Sequence, residues 1–158
     1  TRAYSMGFAG IYINQAGRER EGVVRGDKAA ELQAEIAAKL GNLRDPATGL
    51  KPVRRVWKRS ELYAGPLAEK SPDLILGLEK GYRFSEETTC GRSAETLFSV
   101  NTLPWTGTHL VHLALVPGVL LSNKAIKSKQ PKSIDIAASV LDSLDLPVPK
   151  ELEGGTLF

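Results

Sequence analysis

The sequence has one cysteine and two histidines, and both shortages limit the kinds of disulfide and catalytic site that the chain can form. The lone cysteine, Cys90, has no partner for an internal disulfide, so a hydrophobic core must hold the fold. This favours a reducing compartment such as the cytoplasm. A cysteine nucleophile needs a base beside it, and neither histidine is adjacent to Cys90 in the sequence. We therefore interpret Cys90 as an incidental loop thiol.

Long apolar runs and concentrated charge are also missing. No apolar run approaches the ~20 residues of a membrane helix, and the first residues, TRAYSMGFAG, lack the regions of a signal peptide, so we expect no membrane association. The net charge is only +3, and the densest basic cluster, KPVRRVWKR at residues 51–59, supplies few phosphate contacts. We therefore expect no nucleic-acid polymer as partner. Because the chain begins with Thr1 rather than Met, we expect sequence upstream of it.

What is present is an ordinary globular mixture of 158 residues, 42% hydrophobic and 25% charged, which suits one domain with one core. A β-branched and aromatic run predicts a buried strand at residues 10–14. Asp27 in the N-cap position, followed by apolar residues at i, i+4 and i+8, predicts a helix that ends at Gly41. The residues of this helix expected to face the core are Leu32, Ile36 and Leu40.

The later part of the chain contains further predicted elements. Alternation at 53–58 predicts a strand with a solvated basic face, and residues 72–85 predict a strand, a Lys-Gly turn and a second short strand. Residues 85–104 have no clear period, and GVLLSN at 118–123 predicts a buried strand. SIDIAASVLDSLDLP predicts a helix. Its expected apolar face consists of Ile136, Ala137, Val140, Leu141 and Leu144. Strands alternating with helices indicate an α/β domain with an at least partly parallel sheet.

Both histidines lie in one stretch, WTGTHLVH at residues 105–112. His109 follows a Gly-Thr in a predicted turn that can bring backbone close to a ligand, so it is a candidate metal ligand. Nothing local supplies the Asp, Cys or second His that would complete a site, and a lone loop histidine is more often a surface residue. His112 is three positions further on, whereas metalloprotease helices carry two histidines at i, i+4 with a Glu between them.

Six stretches, taken in their order along the chain, point to a protein family more specifically than any one of them does. They are GIYINQAGREREGVV, LRDPATG, RRVWKRSELYAGPLAEKSPDLILGLEKGYRFS, WTGTH, LVPGVLLSN and SIDIAASVLDSLDLPVPKELEGGTL. Together they cover nearly the whole chain and closely resemble the C-terminal half of the type I phosphodiesterase and nucleotide pyrophosphatase family, which belongs to the alkaline phosphatase superfamily.

The resemblance implies a metal-dependent hydrolase that cleaves phosphodiester or pyrophosphate bonds, with a nucleotide or another phosphodiester as substrate. In that family the histidine of the Trp-Ser/Thr-Gly-x-His block binds one of two divalent metal ions, usually zinc, so the resemblance assigns His109 as a metal ligand. His112 falls where the family requires no imidazole. The nucleophile and the other ligands lie in an N-terminal half whose motifs do not occur in this chain. We therefore assign no catalytic residue, and expect the isolated chain to be inactive and to bind no metal tightly.

The implied fold is the C-terminal portion of an alkaline-phosphatase-like α/β fold, a mixed sheet with flanking helices and an inserted smaller lobe. Residues 1–14 and 105–158 would belong to the core sheet, and residues 15–104 to the lobe. In the lobe, the candidates to face an anionic substrate are Arg18, Arg20, Tyr82 and Arg83. Taken singly, each of these residues is more often ordinary surface charge or a strand aromatic than a substrate contact. Exposed edges left by a missing half would favour self-association.

Two alternatives stay open. A phosphomutase or sulfatase-like hydrolase of the same superfamily would use the same histidine with a different substrate lobe. A non-catalytic interaction module built on the half-fold would need no metal. The sequence upstream of Thr1 distinguishes them, because a nucleophile and an Asp-His-Gly block in the same reading frame would support an enzyme.

Overall fold

A computed structural model describes residues 1–7, 9–87, 92, 94–108 and 110–158. The chain divides into a larger unit, Thr1–Val116, and a smaller unit, Pro117–Phe158. Strands and helices both occur, so the α/β class is confirmed at that level.

The larger unit is built on a four-stranded sheet in the order β1-β2-β4-β3. Its strands are β1 (Ala3–Ser5), β2 (Gly10–Ile13), β3 (Val53–Lys58) and β4 (Leu74–Leu78). Each neighbouring pair is antiparallel. The strand expected at residues 10–14 is confirmed as β2. The expected basic strand is confirmed as β3, whose charged side chains are exposed while Val53 is buried.

The helices are α1 (Gly26–Gly41), α2 (Arg59–Leu62) and α3 (Asp135–Ser143). The predicted first helix is confirmed, although Arg25 rather than Asp27 occupies the N-cap position and makes no side-chain cap bond. Among the described residues, no helix combines the length and the apolar character needed to cross a membrane.

The core of the larger unit forms between α1 and β2. Leu32 and Ala29 of the helix pack with Ile13 of the strand and with Val24, and Ile36 lies at the margin of this cluster. The cluster is small because α1 contributes only two buried side chains to it. Polar interactions therefore have a large share in fixing how the strands and the helix meet.

The carboxylate of Asp73, immediately before β4, is 1% exposed and joins several elements of the larger unit. Arg18 donates to both of its oxygens, from Nη1 to Oδ1 at 2.9 Å and from Nη2 to Oδ2 at 2.6 Å. The amide of Ile13 donates to Oδ2 at 2.7 Å, and the side chain of Gln33 donates to Oδ1 at 3.4 Å. The guanidinium of Arg59 lies 3.4 Å from Oδ1. One carboxylate thus ties β2, α1 and α2 to β4.

Arg18 is fixed through its remaining donors as well. Its Nη2 donates to the carbonyl of Ile13 at 2.6 Å, and its Nε donates to Glu19 Oε1 at 2.8 Å. Glu19 in turn accepts the amide of Gln15 at 2.7 Å and the hydroxyl of Tyr4 at 3.2 Å. A rigid guanidinium that binds a carboxylate through two parallel bonds gives both strength and a defined geometry.

In the smaller unit, the last residues of the chain pack against α3. Leu157 is 1% exposed, and its amide donates to Ser139 Oγ at 2.9 Å. The same hydroxyl donates to the carbonyl of Asp135 at 2.6 Å. At Gly154 a Cβ would lie only 2.1 Å from the carbonyl oxygen of Ile134, so a residue without a side chain is needed at this contact. The Gly-Gly-Thr-Leu segment is therefore part of the packing of this helix.

Two predictions about strands were wrong. Within the described part of the chain, every pair of neighbouring strands in the sheet is antiparallel, so the partly parallel sheet is not observed there. From β3 to β4 the chain reverses direction without a long crossover helix, because α2 has only four residues. Residues 118–123 form no strand, and Val119 and Leu121 are 86% and 88% exposed. An apolar run supplies strand propensity, but a strand also needs a partner, and within the described residues none pairs with this run.

Two local predictions also need correction. The turn after β4 is present, but Tyr82 and the residues after it form no second strand, because within the described residues no strand pairs with them. The predicted last helix is confirmed as α3, but its expected apolar face is not buried. Val140 and Leu144 are 49% and 62% exposed, whereas the buried residues are Ala138 and Ser139, against which the terminal segment packs.

The sheet contains strands from both of the expected parts, β1 and β2 from residues 1–14 and β3 and β4 from residues 15–104. The division into core segments and an inserted lobe concerns a complete enzyme, and it stays a prediction.

Asp73→Asn removes the charge that Arg18 binds while almost preserving side-chain size. We expect the free energy of unfolding of the larger unit to fall by about 3 kcal/mol, because one partner of a buried ion pair is left uncompensated. Urea titration followed by circular dichroism measures the change. Glu21→Gln makes the same chemical change at an exposed side chain and should cost less than about 0.5 kcal/mol. Equal effects of the two substitutions would contradict the role of Asp73.

Acid should destabilise the larger unit through the same network. Burial is the largest single influence on the pKa of Asp73 and of Glu19 and by itself would raise both. The hydrogen bonds and charge of Arg18, added to the backbone amides of Ile13 and Gln15, together outweigh it, so both pKa values lie below normal. A lowered folded pKa contributes stability that is complete above the unfolded pKa of about 4 and is lost as the pH falls through the folded pKa. We expect the free energy of unfolding to decline below about pH 4. The decline should be shallower in Asp73→Asn, and urea titrations over a pH series test this; an identical slope in the two proteins would count against it.

Candidate functional site

His109 and Cys90 lie outside the residues that the structure describes. The surroundings of the predicted metal ligand are therefore given by its described neighbours in the chain, Trp105 to Thr108 on one side and Leu110 onward on the other. All of these neighbours up to Val116 belong to the larger unit.

A groove of about 580 Å³ lies in the larger unit beside this stretch. Residues 78–83, from the end of β4 and the turn after it, line one part of the groove. The other described residues that line it are Asn101, Thr106, Thr108, Leu110, Val111, Leu115 and Val116. A smaller hollow of about 170 Å³ shares Arg83 and Thr108 with the groove and is also lined by Trp105. The volume of the groove lies within the range of small-molecule binding sites.

Several polar groups reach this groove. Lys80 and Arg83 bring two positive charges, and Thr106 and Thr108 bring hydroxyl groups. Glu79 brings a negative charge, which is paired with Arg54 at 2.8 Å. The amide of Lys80 and the guanidinium of Arg54 hold the pKa of Glu79 below its usual value. The groove thus combines two cations with one carboxylate, and both that carboxylate and Arg83 already have a charged partner, Arg54 and Glu86 respectively.

The backbone carbonyl of Trp105 accepts two side-chain hydrogen bonds. Arg83 Nη1 donates to it at 3.0 Å, and Asn101 Nδ2 donates to it at 2.8 Å. Arg83 also pairs with Glu86 through Nη2. The other end of the Asn101 amide, Oδ1, accepts the amide of Leu103 at 3.1 Å. These bonds fix the backbone of the stretch that leads to His109.

Tyr82 connects the groove to a separate turn. Its hydroxyl donates to Asp45 Oδ2 at 2.8 Å and lies 3.0 Å from Thr48 Oγ1. Its ring meets that of Phe98 edge to face, with the centroids 6.5 Å apart. The amide of Ala47 and the Tyr82 hydroxyl lower the pKa of Asp45, so the carboxylate stays ionised at neutral pH. The Tyr82 hydroxyl is therefore engaged within the protein, while the residue itself lines the groove.

Of the four residues expected to face an anionic substrate, the structure brings Tyr82 and Arg83 to the groove. Arg18 lies instead in the ion pair with Asp73, which raises the pKa of its guanidinium further and keeps it charged. Arg20 is exposed and does not line the groove.

His112 has a packing and capping role. Its imidazole stacks on the indole of Trp57, with ring centroids 5.0 Å apart and planes inclined by 18°. Its Nδ1 accepts the amide of Ala114 at 3.1 Å, which begins a single 3₁₀ turn. Because Nδ1 accepts a hydrogen bond from this amide, a neutral His112 carries its own proton on Nε2. These contacts account for His112 without a metal.

The residues that the structure describes include no group of three His, Cys, Asp or Glu side chains arranged to hold a metal ion. A catalytic zinc ion needs three protein ligands. The described residues therefore do not form a zinc site by themselves.

Comparisons with protein-family profiles, curated proteins and solved structures found no match to this chain. The resemblance to phosphodiesterases therefore stays a prediction from the ordered sequence blocks alone.

Two features of the site were not singled out from the sequence. Asn101 has a recognisable local signal, because an Asn shortly before a proline commonly bonds to backbone in a turn. The stacking of His112 on Trp57 depends on a contact between residues far apart in the chain, and neither residue type signals it.

Gly77→Ala tests the packing of His112 against the sheet. A Cβ at this position would lie 2.7 Å from His112 Cδ2 and 2.8 Å from Trp57 Cζ3, so one of the two rings must move. We expect a loss of about 1–3 kcal/mol in the free energy of unfolding and a change in the NMR shifts of the His112 ring protons. The control is Gly41→Ala, where a Cβ meets no atom within 4 Å. Unchanged His112 signals in Gly77→Ala would show that the stack does not exist in solution.

Proposed function

We propose that the chain is the C-terminal part of a metal-dependent phosphodiesterase or nucleotide pyrophosphatase with an alkaline-phosphatase-like fold. In this proposal His109 is one ligand of a site that holds two divalent metal ions. The hydroxyl nucleophile and the remaining ligands come from sequence upstream of Thr1. The isolated chain is then inactive.

The observation that carries the proposal is the groove next to the Trp-Thr-Gly-Thr-His block. Thr106 and Thr108 of this block line it together with Lys80 and Arg83. Hydroxyl donors and positive charges suit a phosphate group, whose oxygens accept charge-assisted hydrogen bonds. The order of the six sequence blocks is a separate line of support, because it does not depend on the groove.

The described residues would bind and orient the substrate. Lys80 and Arg83 attract an anion, and the threonine hydroxyls can donate to its oxygens. Leu110, Leu115 and Val116 give the groove an apolar part against which an uncharged portion of the substrate can pack. Metal ions bound with the help of His109 would supply charge neutralisation at the phosphoryl oxygens and activation of the nucleophile.

A non-catalytic interaction module is the second candidate, and the smaller unit favours it. Val119, Leu121 and Leu144 are 86%, 88% and 62% exposed. Apolar side chains that adjoin one another on a surface mark contacts with another protein or another copy of the chain, and this candidate requires that these three do so. An upstream sequence that contains no nucleophile and no metal-ligand motifs would favour this candidate over the enzyme.

His109→Ala in the complete protein tests the metal assignment. We expect bound zinc, measured by atomic emission, to fall from about two ions to about one, because the substitution removes a ligand from one site. Hydrolysis of a chromogenic phosphodiester should fall by about 100-fold. The matched control is His112→Ala, which should keep both zinc and activity because His112 packs on Trp57. If His109→Ala leaves zinc content and hydrolysis unchanged, the assignment of His109 is wrong.

The isolated 158-residue chain provides a further comparison. Zinc titration by calorimetry should give no site tighter than about 1 μM, because one histidine cannot bind zinc strongly. A tight stoichiometric site would contradict the proposal that the other ligands lie upstream.

A further inference from the structure

We infer that Arg83 and Asn101 form a clamp on the carbonyl of Trp105, and that both are positioning residues for the segment that ends at His109. The importance of the clamp for metal binding rests on the function proposed above. The clamp itself is a property of the folded chain, so it can be tested separately.

The two donors reach the same oxygen from different parts of the chain. Arg83 follows the turn after β4 and donates at 3.0 Å, and Asn101 precedes Trp105 and donates at 2.8 Å. Two donors on one carbonyl restrict both its position and its direction. A peptide plane held in this way limits the backbone angles of the residues on either side.

Arg83 is itself held in place. Tyr82, its neighbour, is bonded to Asp45 and Thr48 in the turn that precedes β3. The second terminal nitrogen of Arg83 pairs with Glu86. The planar guanidinium can therefore satisfy Glu86 and Trp105 at the same time with different nitrogens.

Apolar burial does not replace the clamp. The indole of Trp105 is 72% exposed, and Leu103 is 48% exposed. Residues 101–108 belong to no helix or strand, and a Cβ at Gly107 would meet no atom within 4 Å. With little packing and no regular secondary structure, this segment is fixed mainly by side-chain bonds to its backbone.

The consequence concerns His109, which is four positions after Trp105 in the sequence. A metal ligand must be held within about 0.5 Å of its productive position. Releasing the Trp105 carbonyl would let the segment take more conformations. The expected effect is weaker metal binding without any loss of a ligand.

The variants separate the clamp from other roles of the same side chains. Asn101→Asp keeps the oxygen that accepts the amide of Leu103 but replaces the donor to Trp105 with a second oxygen. Arg83→Ala removes the other donor. Glu86→Gln removes the charge that pairs with Arg83 and leaves the bond to Trp105 in place.

Two exposed residues provide matched controls. Asn123→Asp makes the same amide-to-carboxylate change in the smaller unit, and Arg20→Ala removes an arginine that does not line the groove. Neither control should alter the segment 101–108.

The first readout is the backbone order parameter from ¹⁵N relaxation of the isolated chain. For the amides of Thr106, Gly107 and Thr108 we expect order parameters of about 0.8 in the wild type. In Asn101→Asp and Arg83→Ala we expect them to fall below about 0.6. The thermal midpoint of Asn101→Asp should stay within about 2 °C, because Asn101 is exposed. Arg83 is half-buried, with its side chain 22% exposed, so this condition applies to Asn101→Asp alone. Glu86→Gln and the two controls should resemble the wild type. The inference is overturned if neither clamp variant raises mobility, or if the wild-type segment is already mobile.

The second readout is the zinc affinity of the complete protein. We expect Asn101→Asp and Arg83→Ala to weaken it by about 10-fold, as losses of outer contacts around a ligand do, with Glu86→Gln near the wild type. A mobile segment with unchanged zinc affinity would reject the positioning role. The proposed function is contradicted by a different result, unchanged zinc binding in His109→Ala. In that case the order parameters alone test whether the clamp exists.

Discussion

The larger unit depends on the ion pair between Asp73 and Arg18. Strands β2 and β4 share only two register pairs, Gly10 with Ile75 and Ile11 with Leu74. Where this short ladder stops, the carboxylate of Asp73 takes the place of a backbone acceptor and receives the amide of Ile13. The central pairing of the sheet is thus completed by a side chain. A buried carboxylate can do this only if a cation compensates its charge, which is the part that Arg18 plays.

The groove lies beyond the other end of β4 from Asp73, and hydrogen bonds rather than a buried ion pair hold its walls. β4 ends at Leu78, and the chain beyond it is held by polar contacts of Tyr82 and Arg83 rather than by further strands. These contacts join three separate turns and give the groove its shape. Sites on loops need such support because loops have no ladder or helix to hold them. The groove therefore owes its geometry to a few hydrogen bonds.

The elements with a local cause could be predicted from the sequence. Apolar spacing identified α1, and alternation identified β3, because both patterns lie within the segment itself. The antiparallel pairing and the lack of a strand at residues 118–123 depend on partners elsewhere in the chain, which a single pattern does not contain. Arg18 was expected at a substrate site because it lies in the lobe that the family resemblance implies, and nothing in the local sequence points to Asp73.

The candidate site was predictable to a similar extent. Arg83 and Tyr82 were named as substrate-facing residues and do line the groove, but their bonds to Trp105 and Asp45 required the fold. The role of His109 comes from a family resemblance, and it stays a prediction because that residue is outside the described part of the chain.

The packing of Leu157 against α3 has a consequence for the order in which the two units fold during synthesis. All four strands of the sheet have been synthesised once the ribosome passes Leu78, and domains generally fold as units during synthesis, from the N-terminal side. The smaller unit must wait, because Ser139 bonds to Leu157, which is translated after the helix itself. The helix therefore emerges with its inner face uncovered and acquires its cover only when residue 157 has left the ribosome.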